Sequence, residues 1–539
     1  MGSRLDAVGR VAALSRPSTL SVLRRAGVVE PQEIAALFAS LPWLIGRGPS
    51  LGILSHINAR AVGAKPAIHD RTGTITWRDL DERANRLARA LLEVGLEPGA
   101  SVATLLRNGR EFVEVLLGTQ KAGLVACPLN TRAGRAEVRS AIEGTKPRVL
   151  VVDPRHLDRA AGVGGPDPNL LVTGQDATHH SSYEEVLAAH SPRPLWPVSR
   201  QPEARIVVHT SGTTGTPKGA SRDTAAHGPD DLARLLAVVP LHRRDVILCP
   251  APLFHSFGIL TLTLGMLVGA TFVLPDRFDA KETAELIERH QVTVLAAVPV
   301  MLHRLVSADG LGRPDLRSVR IILSGGSAIN AVLRDQVIER FGPVLHDLYG
   351  TTEAGWVAVA TPEDAASHPG SVGRPIPGVE ISIVDAHGRP VSGGEVGEIL
   401  VGGEGVFEGY LDGSGDSVVA TGDLGRLDAE GYLWVEGRAD DLIVVGGENV
   451  RPAEIEQVVT AVDGVREVAV AGVPDPEYGQ VPAAFVVGDA SEDRIVEACR
   501  AALASYKVPR KVIRRDGLPR TATGKVLVRE LVANEDKKE

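Results

Sequence analysis

Hydrophobic and polar positions along the chain follow two different periods. From Ala67 onward, short apolar runs of strand length alternate with segments of helical spacing; residues 75–99 predict a short strand, an amphipathic helix and a turn. Further apolar runs predict buried strands with helices between them: SVATLLRN, LVACPLN, RVLVVD, RIVVHTSG, DVILCPAP, ATFVLP, TVLAAVP and VRIILSGG. This alternation predicts an α/β fold in which helices cover the sheets.

The pattern changes twice towards the C-terminus. Strand–loop–strand patterns with turn residues dominate from 373 to 435 and predict a β-rich subdomain. The sequence GRADD at 437–441 predicts a boundary, and the patterns beyond it predict a small α+β domain. The predicted organisation is a leader (1–60), a large domain (61–436), a hinge (437–441) and a small domain (442–539).

The leader contains apolar residues at helical spacing, and Pro42 is expected to break this pattern. The favoured interpretation is a helix packed on or near the main body, because basic residues do not line its other face. Weak peripheral contact with a membrane surface is the alternative left open. The apolar positions are Ile34, Leu37, Phe38, Leu41 and Leu44.

Length, net charge and cysteine content favour a folded multidomain protein over a nucleic-acid-binding, metal-binding or disulfide-rich one. A chain of 539 residues is long enough for two or more cores, and its net charge of −9 argues against a nucleic-acid partner. The three cysteines, Cys127, Cys249 and Cys499, are too far apart for a metal motif and fit a reducing compartment. No signal-peptide core and no apolar run near ~18 residues occurs, so the protein is expected to be soluble and cytoplasmic.

The most informative segment is HTSGTTGTPKGA at 209–220, which follows the predicted strand ARIVV. Glycines let a backbone approach a polyphosphate closely, while hydroxyls, amides and a lysine bind its oxygens. The spacing is not that of a Walker A loop, and a flexible surface loop is the alternative reading. The candidate phosphate ligands are Thr210, Ser211, Gly212, Thr213, Thr214, Gly215 and Lys218.

With three other motifs, this loop resembles the adenylate-forming superfamily of acyl-CoA synthetases, luciferases and peptide-synthetase adenylation domains. The other motifs are LYGTTEAG (348–355), ATGDLGRLDAEGYLWVEGRADDLI (420–443) and LPRTATGKVLVREL (518–531), and the resemblance runs from about Ala67 to Val532. It implies a large N-terminal domain of two α/β lobes plus a β-rich subdomain, and a small mobile α+β C-terminal domain. It also implies ATP, Mg²⁺ and coenzyme A as ligands.

The resemblance assigns an ATP site. Thr352 is expected close to the α-phosphate, and Glu353 is expected to hold Mg²⁺, which prefers carboxylate oxygen. Asp423 resembles the carboxylate that accepts hydrogen bonds from the ribose hydroxyls, and Arg438 resembles an arginine that also reaches the ribose. Taken alone, TGD is more often a β-turn. The segment Tyr349, Gly350 and Thr351 completes the predicted ATP site.

The resemblance also assigns an acyl pocket. His255 is expected at its carboxylate end, where amino-acid-activating relatives carry aspartate, so amino acids are disfavoured as substrates. The alternative is that His255 is a structural histidine of the apolar core whose ring nitrogens are hydrogen-bonded within the protein. Gly325 and Gly326 are expected to form a wall. Gly350 stands where acetyl-specific relatives place tryptophan, which implies an acid longer than acetate.

The C-terminal motifs contain the expected catalytic lysine, the hinge and the coenzyme A site. Lys525 resembles the catalytic lysine of adenylate formation, where an ammonium reduces the repulsion between a carboxylate and the α-phosphate. Asp440 matches the hinge about which the small domain turns. Gly446, Gly447 and Glu448 are expected to approach coenzyme A. A basic cluster could contact coenzyme A phosphates or be solvated: Lys507, Arg510, Lys511, Arg514, Arg515 and Arg520.

The sequence therefore predicts a fatty-acyl-CoA synthetase that acts on a medium- or long-chain acid. Catalytic roles are expected for Lys525, Thr352, Glu353 and His255. The alternatives are a fatty-acyl-AMP ligase that delivers to a carrier protein, an aryl-CoA ligase, and a catalytically inactive adenylate-binding regulator. Fatty acid and coenzyme A are the expected small-molecule partners, and the chain is expected to be a monomer or a homodimer.

Overall fold

The computed structural model describes fourteen segments of the chain, and every structural statement below concerns these segments. They are residues 17–47, 50–160, 169–174, 181–195, 205–210, 218–223, 229–308, 315–351, 354–403, 418–439, 441–445, 448–475, 479–521 and 524–533.

The α-helices are numbered α1 to α17 in chain order. They are Pro17–Arg25, Pro31–Arg47, Leu51–Val62, Trp77–Glu93, Arg110–Lys121, Arg135–Thr145, Leu157–Ala160, Tyr183–Ala189, Pro229–Val238, Ser256–Val268, Ala280–His290, Pro299–Val306, Ala331–Phe341, Pro362–Ser367, Pro452–Thr460, Glu492–Ala502 and Val528–Ala533.

The strands are numbered β1 to β25. They are Pro66–Asp70, Gly73–Thr76, Ser101–Leu105, Val125–Pro128, Val149–Val152, Asn169–Val172, Ser181–Ser182, Arg205–Thr210, Lys218–Asp223, Val246–Leu248, Thr271–Val273, Val294–Ala296, Ile321–Gly325, Leu345–Thr351, Gly355–Ala360, Arg374–Pro375, Val379–Val384, Gly397–Gly403, Val418–Leu427, Leu433–Arg438, Ile443–Val445, Glu448–Val450, Val465–Asp475, Gly479–Gly488 and Lys511–Arg514.

Two sheets form the centres of two α/β lobes. One has the strand order β7-β6-β5-β3-β4-β8-β9, and the other has the order β16-β15-β14-β13-β12-β10-β11-β1-β2. The inner strands of both are parallel, as buried runs separated by helices require. One large apolar core packs against both lobes, with Trp77, Phe112 and Phe272 among its fully buried side chains. The predicted strands of this region are confirmed.

The β-rich region and the small domain have separate sheets. Strands β17-β18-β19-β20 form an antiparallel sheet in this order. The small domain has the order β22-β21-β24-β23, with β25 beside β24. Apolar clusters lie on both of its faces, one around Ile455 and Ile495 and the other around Phe485 and Leu531. The predicted fold class is confirmed.

The leader differs from its sequence pattern. Helix α2 runs through Pro42 to Arg47, so the expected break at Pro42 is wrong. The carbonyl of Phe38 loses its helical donor because Pro42 has no amide hydrogen, and Phe38 is 66% exposed. The expected apolar face is not the buried face, because Ile34 is also 41% exposed whereas Ser40 is buried.

Several contacts join the leader to the large domain. The Trp43 indole donates to the carbonyl of Leu195 at 2.7 Å, and the Arg243 amide donates to the carbonyl of Ala26 at 2.9 Å. The buried Glu33 carboxylate pairs with the Arg243 guanidinium. Within the described segments, no helix combines the length and apolar character that crossing a bilayer requires.

Candidate active site

Parallel strands of the nine-stranded sheet end at one edge and place several expected site residues there. His255 follows β10, Gly325 ends β13, and Gly350 and Thr351 end β14. Gly325 lies opposite Leu348, and a Cβ built on Gly325 would be 3.2 Å from the Leu348 Cβ and 3.5 Å from Phe257 Cδ2. A side chain at position 325 would therefore crowd Leu348 on β14, whereas its distance to Phe257 on α10 would be an ordinary contact.

His255 lies at the N-cap of α10 without capping the helix through its side chain. Burial, reinforced by the charge of Arg132, lowers the pKa of His255 to about 4, so the imidazole is neutral at physiological pH. Its Nε2 is buried and has no hydrogen-bond partner among the described residues. A buried nitrogen without a partner is costly, and a bound polar group could satisfy it.

Gly326 and Gly350 differ in the space available beside them. A Cβ built on Gly326 would lie 3.7 Å from Val298 Cγ1, an ordinary contact, although its φ of +86° favours glycine. A Cβ on Gly350 would lie 2.0 Å from the carbonyl oxygen of Gly355. The Cβ direction at 350 therefore meets the backbone of β15.

Asp423 and Arg438 are paired residues on the antiparallel strands β19 and β20. Arg438 Nη1 lies 3.2 Å from Asp423 Oδ1 and 3.1 Å from the Thr421 carbonyl oxygen. Tyr349 Oη donates to Asp423 Oδ2 at 2.8 Å. Burial raises the pKa of Asp423, and Tyr349, Arg438 and the charge of Lys525 partly oppose this rise. The structure thus brings together three expected ATP-site residues and Thr421, which the motifs did not single out.

Lys525 is exposed and lies in the small domain, where the amide of the preceding Gly524 donates to the Thr521 carbonyl at 2.9 Å. Gly524, the preceding residue, packs against the large domain, because a Cβ built on it would lie 2.5 Å from Val300 Cγ1. The ammonium of Lys525 is near enough to Asp423 to lower its pKa. In this structure the small domain therefore meets the large domain beside Lys525, and the charge of Lys525 acts on Asp423.

The predicted phosphate loop is described only at its base. Thr210, the last residue of β8, is the antiparallel partner of Lys218, the first residue of β9, so the backbone brings the two ends of the loop together. The described part of Glu448 is its backbone, which pairs with Val445. The following expected site residues lie outside the described residues: Ser211, Gly212, Thr213, Thr214, Gly215, Thr352, Glu353, Asp440, Gly446 and Gly447.

The basic cluster predicted near the C-terminus is largely engaged within the small domain. Lys507 pairs with Glu454, Arg514 donates to the carbonyl of Ala490 at 2.6 Å, and Arg520 contacts Glu467 and Gly524. The sequence alone gave no reason to separate Arg520 from its neighbours, because Glu467 lies 53 positions away.

Comparisons with known proteins agree on one family. The model described as AMP-binding enzyme matches residues 56–411, and the model described as AMP-binding enzyme C-terminal domain matches residues 454–525. The indoleacetate–CoA ligase of Aromatoleum aromaticum is 34% identical over 492 residues, which are 87% of this chain and 95% of that protein. The long-chain-fatty-acid–CoA ligase FadD13 of Mycobacterium tuberculosis is 32% identical over 467 residues, covering 84% and 92% of the two chains.

Solved structures give the same relationship. The ATP-bound crystal structure of MatB from Rhodopseudomonas palustris superposes with a TM-score of 0.80 at 30% identity, covering 88% of this chain and 96% of that one.

Proposed function

The chain belongs to the AMP-binding enzyme family and is an adenylate-forming acyl- or aryl-CoA ligase, and from this premise we propose that it activates a medium- or long-chain fatty acid. The family predicted from the motifs is thereby confirmed. The observation that carries the adenylate-forming step is the position of Lys525: Gly524, the residue before it, packs on Val300 of the large domain, and the charge of Lys525 acts on Asp423. This geometry supports a nucleotide held by Asp423 and a reacting carboxylate within reach of Lys525.

In the first step, a carboxylate oxygen of the acid attacks the α-phosphorus of ATP and supplies the electron pair of the new O–P bond. The bond from the α-phosphorus to its bridging oxygen breaks, and pyrophosphate leaves with that electron pair. The fixed ammonium of Lys525 reduces the repulsion between the two anions and stabilises the charge that builds at phosphorus. Asp423, which is oriented by Tyr349 and Arg438, accepts hydrogen bonds from the ribose hydroxyls.

In the second step, the thiolate of coenzyme A attacks the acyl carbonyl carbon. A C–S bond forms, the C–O bond to the phosphate breaks, and AMP leaves with its electron pair. The two steps need different groups at one carbonyl, which rotation of the small domain about Asp440 would supply. Gly446, Gly447 and Glu448 are proposed to approach coenzyme A after this rotation.

Magnesium is proposed as the cation that accompanies ATP, with Glu353 as its protein ligand. A carboxylate is the donor type that Mg²⁺ prefers, and the ion would neutralise phosphate charge. The roles of Thr352 and the phosphate loop are proposed on the same family grounds.

The substrate proposal rests on apolar side chains beside Gly325, which is expected to form a wall of the acyl pocket. Phe257 and Leu348 are buried and lie within 3.5 Å of a Cβ built on Gly325, and each methylene of an acid buried there would contribute about 0.8 kcal/mol. The neutral His255 would not hold a substrate ammonium, which disfavours amino acids. An aryl acid is the second candidate, favoured by the 34% identity to an indoleacetate–CoA ligase.

The test is pyrophosphate release by the purified chain with ATP and Mg²⁺. Straight-chain acids from acetate to palmitate would be compared with indoleacetate and ferulate, each with and without coenzyme A. Release that is fastest with acids longer than acetate, with acyl-CoA as product, is expected. Faster release with the aryl acids would favour the second candidate. Release without acyl-CoA would indicate delivery to a carrier protein, and no release with any acid would indicate an inactive regulator.

A further inference from the structure

The guanidinium of Arg520 links the turn before Lys525 to the sheet of the small domain. Its Nη1 donates to the carbonyl oxygen of Gly524 at 2.6 Å, and its Nη2 pairs with Glu467 Oε2, also at 2.6 Å. Glu467 lies on β23. On the premise of the proposed function, we propose that Arg520 is a positioning residue that sets Lys525 for adenylate formation by holding the Gly524 carbonyl.

The turn itself is closed by local hydrogen bonds. The Thr521 amide donates to the Lys525 carbonyl at 2.7 Å, and the Lys525 amide donates to Thr521 Oγ1 at 3.1 Å. The Gly524 amide donates to the Thr521 carbonyl at 2.9 Å, and its φ is +87°. These bonds join Thr521 to Gly524 and Lys525, but they do not reach the sheet of the small domain. The Arg520 guanidinium, which bonds both the Gly524 carbonyl and Glu467, connects this segment to the sheet.

The same turn contacts the large domain. Gly524 packs on Val300 at the start of α12, where an added Cβ would lie only 2.5 Å from Val300 Cγ1. Burial lowers the pKa of His303 on the same helix, and the charges of Glu467 and Arg520 act on this pKa in opposite directions. The bond from Arg520 to Gly524 therefore lies where the small domain meets α12, and a shift of Gly524 would move Lys525 relative to the large domain.

The side-chain type matters for this role. A guanidinium presents several N–H donors in a rigid plane, so it can bond a carbonyl and a carboxylate at the same time. A lysine carries the same charge but lacks this planar set of donors. Arg520 already donates to Gly524 and Glu467, so it is poorly placed to bind a coenzyme A phosphate in this position of the small domain. Binding of coenzyme A phosphates was the other role considered for the basic cluster.

The experiment separates the two half-reactions in the full chain. For Arg520→Ala we expect kcat for pyrophosphate release to fall about 10- to 100-fold, because misplacement near 1 Å has this effect. KM for ATP and for the acid should change less than about threefold, because ground-state contacts remain. Thioester formation from supplied acyl-AMP should keep its rate. Arg520→Lys should recover part of kcat, and Glu467→Gln should cost less than Arg520→Ala.

The matched control is Arg494→Ala. Arg494 pairs with the exposed Asp463 at 3.3 Å on the surface of the same domain and, within the described residues, forms no hydrogen bond or ion pair with Arg520, Gly524 or Lys525, so both half-reactions should be unchanged. Equal loss of both half-reactions in Arg520→Ala, or no loss in either, would overturn the positioning role. A raised KM for coenzyme A with normal adenylation would instead assign Arg520 to the phosphates. Absence of pyrophosphate release by the unmodified chain would overturn the proposed function itself.

Discussion

Tyr349 and Asp423 are joined by a 2.8 Å hydrogen bond between the phenol Oη and the carboxylate Oδ2. Tyr349 belongs to the nine-stranded α/β sheet and Asp423 to the four-stranded sheet, so this bond links two substructures. Arg438 binds the other carboxylate oxygen. A carboxylate oxygen can accept more than one hydrogen bond, so Asp423 remains able to bind the ribose while its orientation is fixed.

Removing the phenol hydroxyl should weaken ATP binding. Tyr349→Phe deletes one hydrogen bond to a charged group, worth about 1.5–3 kcal/mol, so we expect KM for ATP to rise about 10- to 150-fold. Asp423→Asn should have a larger effect. The measurement is pyrophosphate release with ATP varied at saturating acid. Tyr506→Phe, at an exposed tyrosine of the small domain, is the control. An unchanged KM in Tyr349→Phe would show that the bond does not orient Asp423 for ATP.

Lys525 should matter for one half-reaction only. Lys525→Ala removes a charge that acts in the transition state, so pyrophosphate release should fall about 10²- to 10³-fold. Thioester formation from supplied acyl-AMP should be largely intact, because that step uses other groups. Both rates are measured on the same preparation, with Lys281→Ala on the exposed surface of α11 as the control. A parallel loss of both rates would contradict the assigned role.

Local patterns were sufficient for much of the architecture. Runs such as RVLVVD and VRIILSGG become β5 and β13 because a buried parallel strand needs apolar residues on both faces. The motifs likewise placed Asp423 and Arg438 in one site, and their pairing across β19 and β20 accounts for the closeness of the two side chains.

Other features depend on contacts between distant residues. The apolar spacing of α2 gave the wrong face, because Glu33 and Ser40 are buried by neighbouring segments whereas Phe38 is not. The contact of Arg520 with Glu467 could not be read from either local sequence. Nor could the environment of Gly350, which results from a register shift between β14 and β15.

That environment changes what a substitution at Gly350 would test. The resemblance implies that glycine at 350, in place of tryptophan, admits an acid longer than acetate, but a Cβ at this position would meet the Gly355 carbonyl oxygen at 2.0 Å. Gly350→Ala should therefore displace the start of β15 and lower activity with every acid to the same degree. The measurement is relative kcat/KM from acetate to palmitate. A selective loss with the longer acids would instead place the acyl pocket at Gly350.

A buried charge network joins helices α3, α4 and α5. Lys121 Nζ lies 2.5 Å from Asp81 Oδ1, and Ser55 Oγ donates to the same oxygen at 2.8 Å. The Asn85 amide donates to Asp81 Oδ2 at 3.2 Å, and the His56 ring lies 3.4 Å from it. Burial alone would raise the pKa of Asp81, but Lys121 and then His56 outweigh it and hold this pKa well below its usual range.

This network should make stability depend on pH in the acid range. Because the pKa of Asp81 is lower in the folded state than its unfolded value of about 3.9, its stabilisation is complete above that value and is lost as the pH falls towards the folded pKa. Asp81→Asn should lower the free energy of unfolding at pH 7 by about 3–5 kcal/mol, because Lys121 is then buried without a counter-charge. Urea unfolding at pH 7 and below pH ~4 measures both effects, and the difference between the variant and the unmodified chain should shrink at the lower pH. The double variant Asp81→Asn/Lys121→Met removes both charges and should recover most of the lost stability. If the single variant were as stable as the unmodified chain at pH 7, the pair would contribute nothing to folding.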